Sequence, residues 1–391
     1  MTRQVLIAGG GMGGLAACIA AARAGWQPSL FEKAQSFAES GAGIQLGPNA
    51  TRILQAWELG PALVQAAAFP HRLVVRGAAN GVQLAAMPLG DSFLQRYGAP
   101  YATVHRADLH ALLLKAARGA GAQLNLSAPV TEVRETPHAV LLRADGADET
   151  EGGALVGADG LWSTVRSRLW QDAPPQPTGH LAYRALLRQQ DLPAGLRSDD
   201  VTVWLGPRLH VVAYPVRQGQ WLNLVAIVEG ATAGDAREWD QAGVNADLQQ
   251  ALGATCAALR DLVGAVAAWR LWVLHERAPL QGAGGMARGR VALLGDAAHP
   301  MRPYLAQGAA MAIEDAQALG QCLALASERI TDVPAALQRY ALQRWKRNAR
   351  VQRRAARNGH IFHATGAVRW GRDAGLRLLG ERLLDVPWLY R

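Results

Sequence analysis

The chain is predicted to be an α/β protein: a dinucleotide-binding β-α-β domain, interrupted by an antiparallel-sheet domain and followed by a helical segment. Three observations predict it. A buried strand, a glycine-rich turn and an Ala-rich helix stand at the start. Alternating apolar runs fill the middle, from about 178 to 275. Strand-then-glycine chemistry returns at 290–300. A domain whose pieces lie at both ends of a sheet-like stretch is an interrupted domain. The expected segments are 1–177 and 276–330 for the two parts of the binding domain, 178–275 for the inserted sheet domain, and 331–391 for the C-terminal helices.

Taken in order, residues 4–8 (QVLIA) read as a short buried strand. The helix after it runs to about Ala24, Gly25 stops it, and PSLFE at 28–32 is the next strand. Between strand and helix, Gly9, Gly11 and Gly14 fit GxGxxG. Gly9 permits the tight turn, Gly11 lets backbone approach a pyrophosphate, and Gly14 lets the helix sit on the strand. The helix N-terminus then offers N–H groups and a positive dipole end to phosphates. Glu32 ends the second strand, where a carboxylate accepts ribose hydroxyls. This Rossmann-like unit alone does not separate FAD from NAD. Residues 40–49 (SGAGIQLGPN) are too glycine-rich for a plain helix, whereas 106–118 resume a helical pattern. Runs such as VTVWLG, HVVAYPV and WLNLVAIVE alternate as antiparallel strands do, helical segments lie near 244–268, and a long helix is expected at about 306–326.

Composition sets bounds. The 391 residues are half hydrophobic and 18% charged, as in a globular protein. Three scattered cysteines (Cys18, Cys256, Cys322) suggest neither a disulfide framework nor zinc, and they fit a cytoplasmic setting. No signal peptide or membrane-crossing apolar run is expected. Net charge is +9, but eight Lys/Arg and no acid lie between Arg339 and Arg357, and without them about +1 would remain. The solvated face of one helix accounts for that run. Attraction to nucleic acid or acidic lipid is the sharper alternative, and no nucleic-acid motif supports it.

Two further motifs bear on the cofactor. Residues 157–166 read GADGLWSTVR. The segment from Gly295 reads GDAAHP, followed by Pro303, Gln307-Gly308-Ala309 and Ala312-Ile313-Glu314-Asp315. With the GxGxxG, these resemble the flavoprotein aromatic hydroxylase family, in order and at workable spacing, across essentially the whole chain. The texture is that of the branch acting on salicylate, 3-hydroxybenzoate and 6-hydroxynicotinate. The resemblance implies an FAD-binding domain, NADH or NADPH as a transient electron donor, O2 as co-substrate, and ring hydroxylation through a flavin C4a-hydroperoxide. Only one GxGxxG is present, which fits a nicotinamide that visits rather than one with its own domain. No metal, no nucleic-acid partner and a monomer or homodimer are expected. A larger apolar substrate such as a quinone precursor, and a non-oxygenase flavoprotein of the same fold, are the alternatives.

The same resemblance implies site residues. Asp296 would bond a ribityl hydroxyl, or else cap its turn. Gly308 and Ala309, opening the helix after Gln307, would let its positive end face the reduced flavin. Asp159 would serve the FAD pyrophosphate and the nicotinamide. Arg106 matches an FAD-contacting arginine, with a surface ion pair as the alternative, and Gly43 and Ile44 match the loop beside the flavin ring. The family's His-x-x-x-Tyr strand stands here as His210 and Tyr214. Positions i and i+4 of a strand share a face, so imidazole and phenol would look into one cleft. Histidine there can take a phenolic proton; a satisfied sheet histidine is the bland alternative. Gln307 would meet the substrate hydroxyl and Tyr304 line the pocket. Tyr183 and Arg184 are candidates for holding a substrate carboxylate.

Overall fold

The structure is a computed structural model describing residues 3–37, 42–230, 241–328 and 332–391. It divides into two compact units, each built from three stretches of chain. The first comprises 1–40, 107–176 and 276–355, the second 41–106, 177–275 and 356–391.

The first unit is organised by a six-stranded sheet. Its order is Ala287–Arg288, Val291–Leu293, Ala154–Gly157, Gln4–Ala8, Gln27–Phe31, Gln123–Asn125. All neighbours are parallel except the first pair. Buried parallel strands read as unbroken apolar runs rather than alternation, and Val5, Leu6, Ile7 and Ala8 are all fully buried. The helix Met12–Arg23 follows the first strand, as its glycine turn and Ala-rich run predict. It lies against the helix Gly308–Ser327 so closely that a Cβ on Gly320 would stand 2.8 Å from the Ala20 carbonyl oxygen. Val130–Glu135, Val140–Ala144 and Thr150–Gly152 form a three-stranded antiparallel sheet.

The second unit centres on an eight-stranded sheet. Its order is Gln241–Gly243, Trp269–Glu276, Gln176–Arg188, Trp221–Glu229, Leu209–Val216, Val201–Gly206, Arg72–Gly77, Gln83–Pro88. The last two strands lie outside the stretch that alternation marked, and Arg72–Gly77 joins in parallel to Val201–Gly206. The pleat sorts side chains strictly. Leu181, Tyr183, Leu209, Val211, Ala213, Leu222, Leu224 and Ala226 enter one apolar core, closed by leucines of the helices Asn245–Leu252 and Ala257–Gly264. The opposite face carries His180, Arg184, His210, Tyr214, Asn223 and Glu229, as the cross-strand register requires. A smaller sheet pairs Gly43–Leu46, Ala102–His105 and Ala67–Ala68.

The segment from 332 is helical, as expected: Val333–Phe362, Gly366–Leu379, Glu381–Leu384 and Pro387–Tyr390. The basic run is not simply a solvated face, however. Arg344 is buried, donating to Asp315 Oδ1 at 2.7 Å and to Glu314 Oε2 at 2.7 Å, and Arg347 Nε reaches Glu314 Oε2 at 2.6 Å. A buried guanidinium needs a carboxylate partner, and the Glu-Asp pair of the motif helix supplies it.

Candidate cofactor cradle and active-site face

In the first unit the glycine turn has the shape that a phosphate requires. Gly9 has φ +101°, and a Cβ there would meet the Ala158 carbonyl oxygen at 2.5 Å. A Cβ on Gly14 would stand 1.9 Å from the Gly9 oxygen. At Gly11 the same atom would meet nothing within 4 Å, so backbone there faces open space. The helix that Gly11 caps has no side-chain cap and no acid in its first turn, which suits an anion. Glu32 braces the turn: Oε2 accepts from Gly10 N at 2.6 Å and Oε1 from Ala34 N at 2.8 Å. Each oxygen keeps a lone pair for a ribose hydroxyl. His110 Nε2 lies 2.8 Å from the Gly10 oxygen, a buried support that the sequence reading did not single out.

The other two motifs meet within this unit. The Asp159 carboxylate is taken up by its own turn. Oδ1 accepts from Ser163 Oγ at 2.5 Å, and Oδ2 from the Thr164 and Val165 amides at 2.7 and 3.1 Å. It caps the short helix Thr164–Leu169 and fixes the GADG turn. Burial pushes its pKa up, with those hydrogen bonds opposing. Arg166 then donates to the carbonyl oxygens of Ala297 and Ala298 at 3.0 and 2.7 Å, tying the second motif to the third. Sequence reading quoted this arginine without giving it a role. His299 is buried 2.5 Å from Asp315 Oδ2, so it belongs to the motif's internal network. Burial would raise the Asp315 carboxyl, but the charges of His299 and Arg344 prevail and hold it below the usual carboxylate range. Asp296 is exposed beside buried Gly295 and Ala297. Gln307 is buried as the N-cap of Gly308–Ser327, Tyr304 is buried, and a Cβ on Gly308 would meet nothing within 4 Å.

In the second unit the strand Gly43–Leu46 lies against the polar sheet face. Asn223 Oδ1 accepts from Gly43 N at 2.6 Å. A Cβ at Gly43 would stand 2.5 Å from Tyr214 Cε2 and 2.9 Å from Asn223 Cγ. Gln45 hydrogen-bonds Tyr214 and accepts from Tyr101 Oη at 2.6 Å. The Gly43-Ile44 stretch and the His210/Tyr214 strand are thus brought together, with Asn223 between them. Asn223 is fully buried, yet its Nδ2 has no partner among the described residues. Such a donor calls for an acceptor beyond the described residues. Asn223 was missed because one Asn in WLNLVAIVE carries no local signal. Arg106, half-buried, opens the helix Arg106–Gly119, with its amide bonded to the Ala42 oxygen at 2.9 Å.

Tyr183 and Arg184 separate. Tyr183 lies in the apolar core, edge-on to Trp269 at 6.4 Å, on the face away from His210. Arg184 shares the polar face, its guanidinium 3.0 Å from the centre of the Trp272 ring. Tyr214 is buried, and its phenol is pushed above its ordinary range by burial first, with the Arg184 charge and the Gln45 bond acting the other way.

His210 is 2% exposed, and burial, then the neighbouring His363 and His180, hold its pKa well below that of free imidazole. Its Nδ1 lies 2.8 Å from His363 Nε2, and His363 stacks on His180 at 4.8 Å. The ligand atoms of His180, His363 and Glu229 lie within 4.8 Å of one another. Tetrahedral zinc, with bonds of about 2.0–2.2 Å, needs about 3.4 Å between its ligand atoms, and Arg208 Nε already sits 3.7 Å from Glu229 Oε2. Within the group His363 stacks on His180, and its Nδ1 lies 3.8 Å from Glu229 Oε1, beyond hydrogen-bond range.

Comparison with known proteins agrees with this chemistry. A family model described as "FAD binding domain" matches residues 2–355. The chain is 36% identical to a 3-hydroxybenzoate 6-hydroxylase of Polaromonas naphthalenivorans, covering 99% of this chain and 95% of the relative. It is 35% identical to a 6-hydroxynicotinate 3-monooxygenase of Bordetella bronchiseptica, over 90% of each. In fold it resembles Klebsiella pneumoniae HpxO complexed with FAD and uric acid, at TM-score 0.85 and 23% identity over 97% of this chain and 94% of the other. The open Gly11 backbone and the uncapped helix start of the first unit fit FAD. The chain belongs to the FAD-binding-domain family, among its flavoprotein hydroxylases.

Proposed function

We propose that this flavoprotein hydroxylates a small phenolic or hydroxylated heteroaromatic carboxylate, with NADH or NADPH as electron donor and O2 as co-substrate, in the cytoplasm. The observation that carries the reading is the polar sheet face of the second unit: a buried histidine disfavoured as a cation, a buried tyrosine, an arginine and an Asn Nδ2 with no partner among the described residues, on one side of three adjacent strands. The names of the 3-hydroxybenzoate and 6-hydroxynicotinate enzymes support it.

FAD, when bound, takes reducing equivalents from the nicotinamide and activates oxygen. In the first unit, Gly9, Gly11, Gly14 and Glu32 would hold its pyrophosphate and adenosine ribose, Asp296 would meet a ribityl hydroxyl, and Gly308 and Ala309 would leave room at the helix start. In the second unit, Gly43, Ile44 and Arg106 are the proposed cofactor contacts. Asp159 acts by shaping its turn. On the substrate side, His210 Nε2 takes the phenolic proton, which enriches the ring for electrophilic attack. Burial disfavours the imidazolium, so the imidazole is free to accept but the proton must be passed on. Tyr214 would orient the ring and Arg184 answer the carboxylate; in the first unit, Gln307 and Tyr304 are the proposed substrate contacts. Tyr183 contributes only packing.

The test is NADH-dependent oxygen uptake by the flavin-loaded protein across salicylate, 3-hydroxybenzoate, 4-hydroxybenzoate and 6-hydroxynicotinate, with products weighed by mass spectrometry. One acid should stimulate uptake and gain one oxygen, with or without loss of CO2. His210→Asn should then slow hydroxylation about 10²–10⁴-fold while flavin content holds. Uptake that no acid stimulates, or only peroxide as product, would overturn the reading.

A further inference from the structure

A buried base that is strongly disfavoured as a cation cannot keep the proton it takes. The geometry gives His210 an outlet: Nδ1 lies 2.8 Å from Nε2 of His363. His363 follows the last turn of Val333–Phe362, 153 positions along the chain. It is held firmly, since its carbonyl oxygen accepts from Arg208 N at 3.0 Å and its ring stacks on His180 at 4.8 Å and 30°. Its other nitrogen, Nδ1, faces Glu229 Oε1 at 3.8 Å, and that carboxylate is 42% exposed. Three groups therefore run from a buried imidazole to a solvated carboxylate.

We propose that His363, with Glu229 as its counter-charge, relays the substrate proton from His210 toward solvent. The proposal rests on His210 being the base of the reaction described above. The phenol O–H bond breaks and its proton joins His210 Nε2. The Nδ1–H bond of His210 breaks in turn and that proton joins His363 Nε2. The positive charge then sits on His363, within ion-pair range of Glu229, and water at the exposed carboxylate removes the proton. No redox change is involved. The arrangement places charge where a carboxylate can balance it instead of on His210. Other charged groups around the pair are His180 on the neighbouring strand, Arg208 at 3.7 Å from Glu229 Oε2, and Arg372, which donates to the Ile361 and Phe362 oxygens and pairs with Asp373 at 2.8 Å. Phe362 covers His210 edge-on at 5.3 Å.

The first measurement needs no substrate. In ¹⁵N-histidine-labelled, FAD-loaded protein, assigned with His210→Asn and His363→Gln, His210 should be neutral with its proton on Nδ1 and His363 should accept at Nε2. A His210 proton on Nε2 would sink the relay, because no proton could then leave through Nδ1. The second uses 3-hydroxybenzoate as probe, or 6-hydroxynicotinate if that acid is the one turned over. His363→Gln should slow hydroxylation about 10–100-fold at neutral pH, leave flavin reduction unchanged, and recover as pH rises and the phenol ionises unaided. Glu229→Gln, at an exposed position that tolerates change, should shift the same pH profile by a smaller amount. Imidazole in the buffer should partly restore His363→Ala. If His210→Asn is impaired while His363→Gln keeps the wild-type profile, the relay alone is wrong. If both keep it, His210 is not the base and the functional reading falls with it.

Discussion

At Gly43 a hydrogen atom is all the space allows. Alanine there would press on Tyr214 and Asn223 at 2.5 and 2.9 Å, against buried rings and a hydrogen-bonded amide. Gly43→Ala should cost about 1–3 kcal/mol, the usual penalty for overfilling a packed site, visible as a lower melting temperature of the flavin-free protein. Asp315 makes a different kind of demand. Its carboxyl is held below its ordinary range in the fold, so the unfolded chain binds the proton more readily. Its contribution is therefore fully present above about pH 4 and lost as pH falls from there through the folded value. Asp315→Asn strips Arg344 and His299 of their buried partner and should cost about 3–5 kcal/mol at pH 7. The gap in melting temperature between wild type and variant should narrow below pH 4; a gap constant from pH 7 to 3 would show the network to be neutral.

Among elements, the motif helix Gly308–Ser327 was the one read most fully. Its small residues, its Glu-Asp pair and its start at Gln307-Gly308 are all local features. What they contact is not local. Glu314 and Asp315 meet Arg344 and Arg347 of Val333–Phe362, some thirty positions on, and Arg166 reaches across 131 positions to Ala297. Charge patterning marks such arginines as surface residues because a partner distant in sequence leaves no periodic trace. Tyr183 and Arg184 illustrate the same limit: adjacent letters, opposite faces, and only the strand register tells which is which. The helix also depends on one close approach. Gly320→Val would push Cβ to 2.8 Å from the Ala20 oxygen, separating the helices Met12–Arg23 and Gly308–Ser327. We expect early melting and flavin loss together, whereas Gly375→Val, whose Cβ has only Leu383 at 3.9 Å, should be tolerated far better.

At the scale of the whole molecule, the order of motifs along the chain was legible because each is a short backbone device: a turn that only glycine makes, a strand that ends in an acid. The participation of 72–77 and 83–88 in the large sheet, and of Asn223, His180 and His363 in its polar face, was not, since these depend on which strands become neighbours. The cradle is expected to discriminate between flavins. On the proposed reading Gly9–Gly14 and Glu32 take a pyrophosphate and an adenosine ribose, neither of which FMN carries. Flavin-free protein should regain its melting temperature with FAD, by about 2.7 kcal/mol when FAD stands at a hundred times its dissociation constant, while FMN at equal concentration should leave it unmoved. Equal stabilisation by FMN would mean that the glycine turn is not the anchor.

The alternation of the large sheet has a consequence for how such a protein can diversify. Every second residue of 180–186, 210–214 and 223–229 lies on the face that carries His180, Arg184, His210 and Asn223, and every other one on the face of the apolar core. Inserting or deleting a single residue in any of these strands exchanges the two sets, burying an arginine among leucines and turning leucines onto the polar face. New specificities can therefore arise here by replacing letters but not by adding or losing them, and length variation among descendants of this chain is confined to the turns.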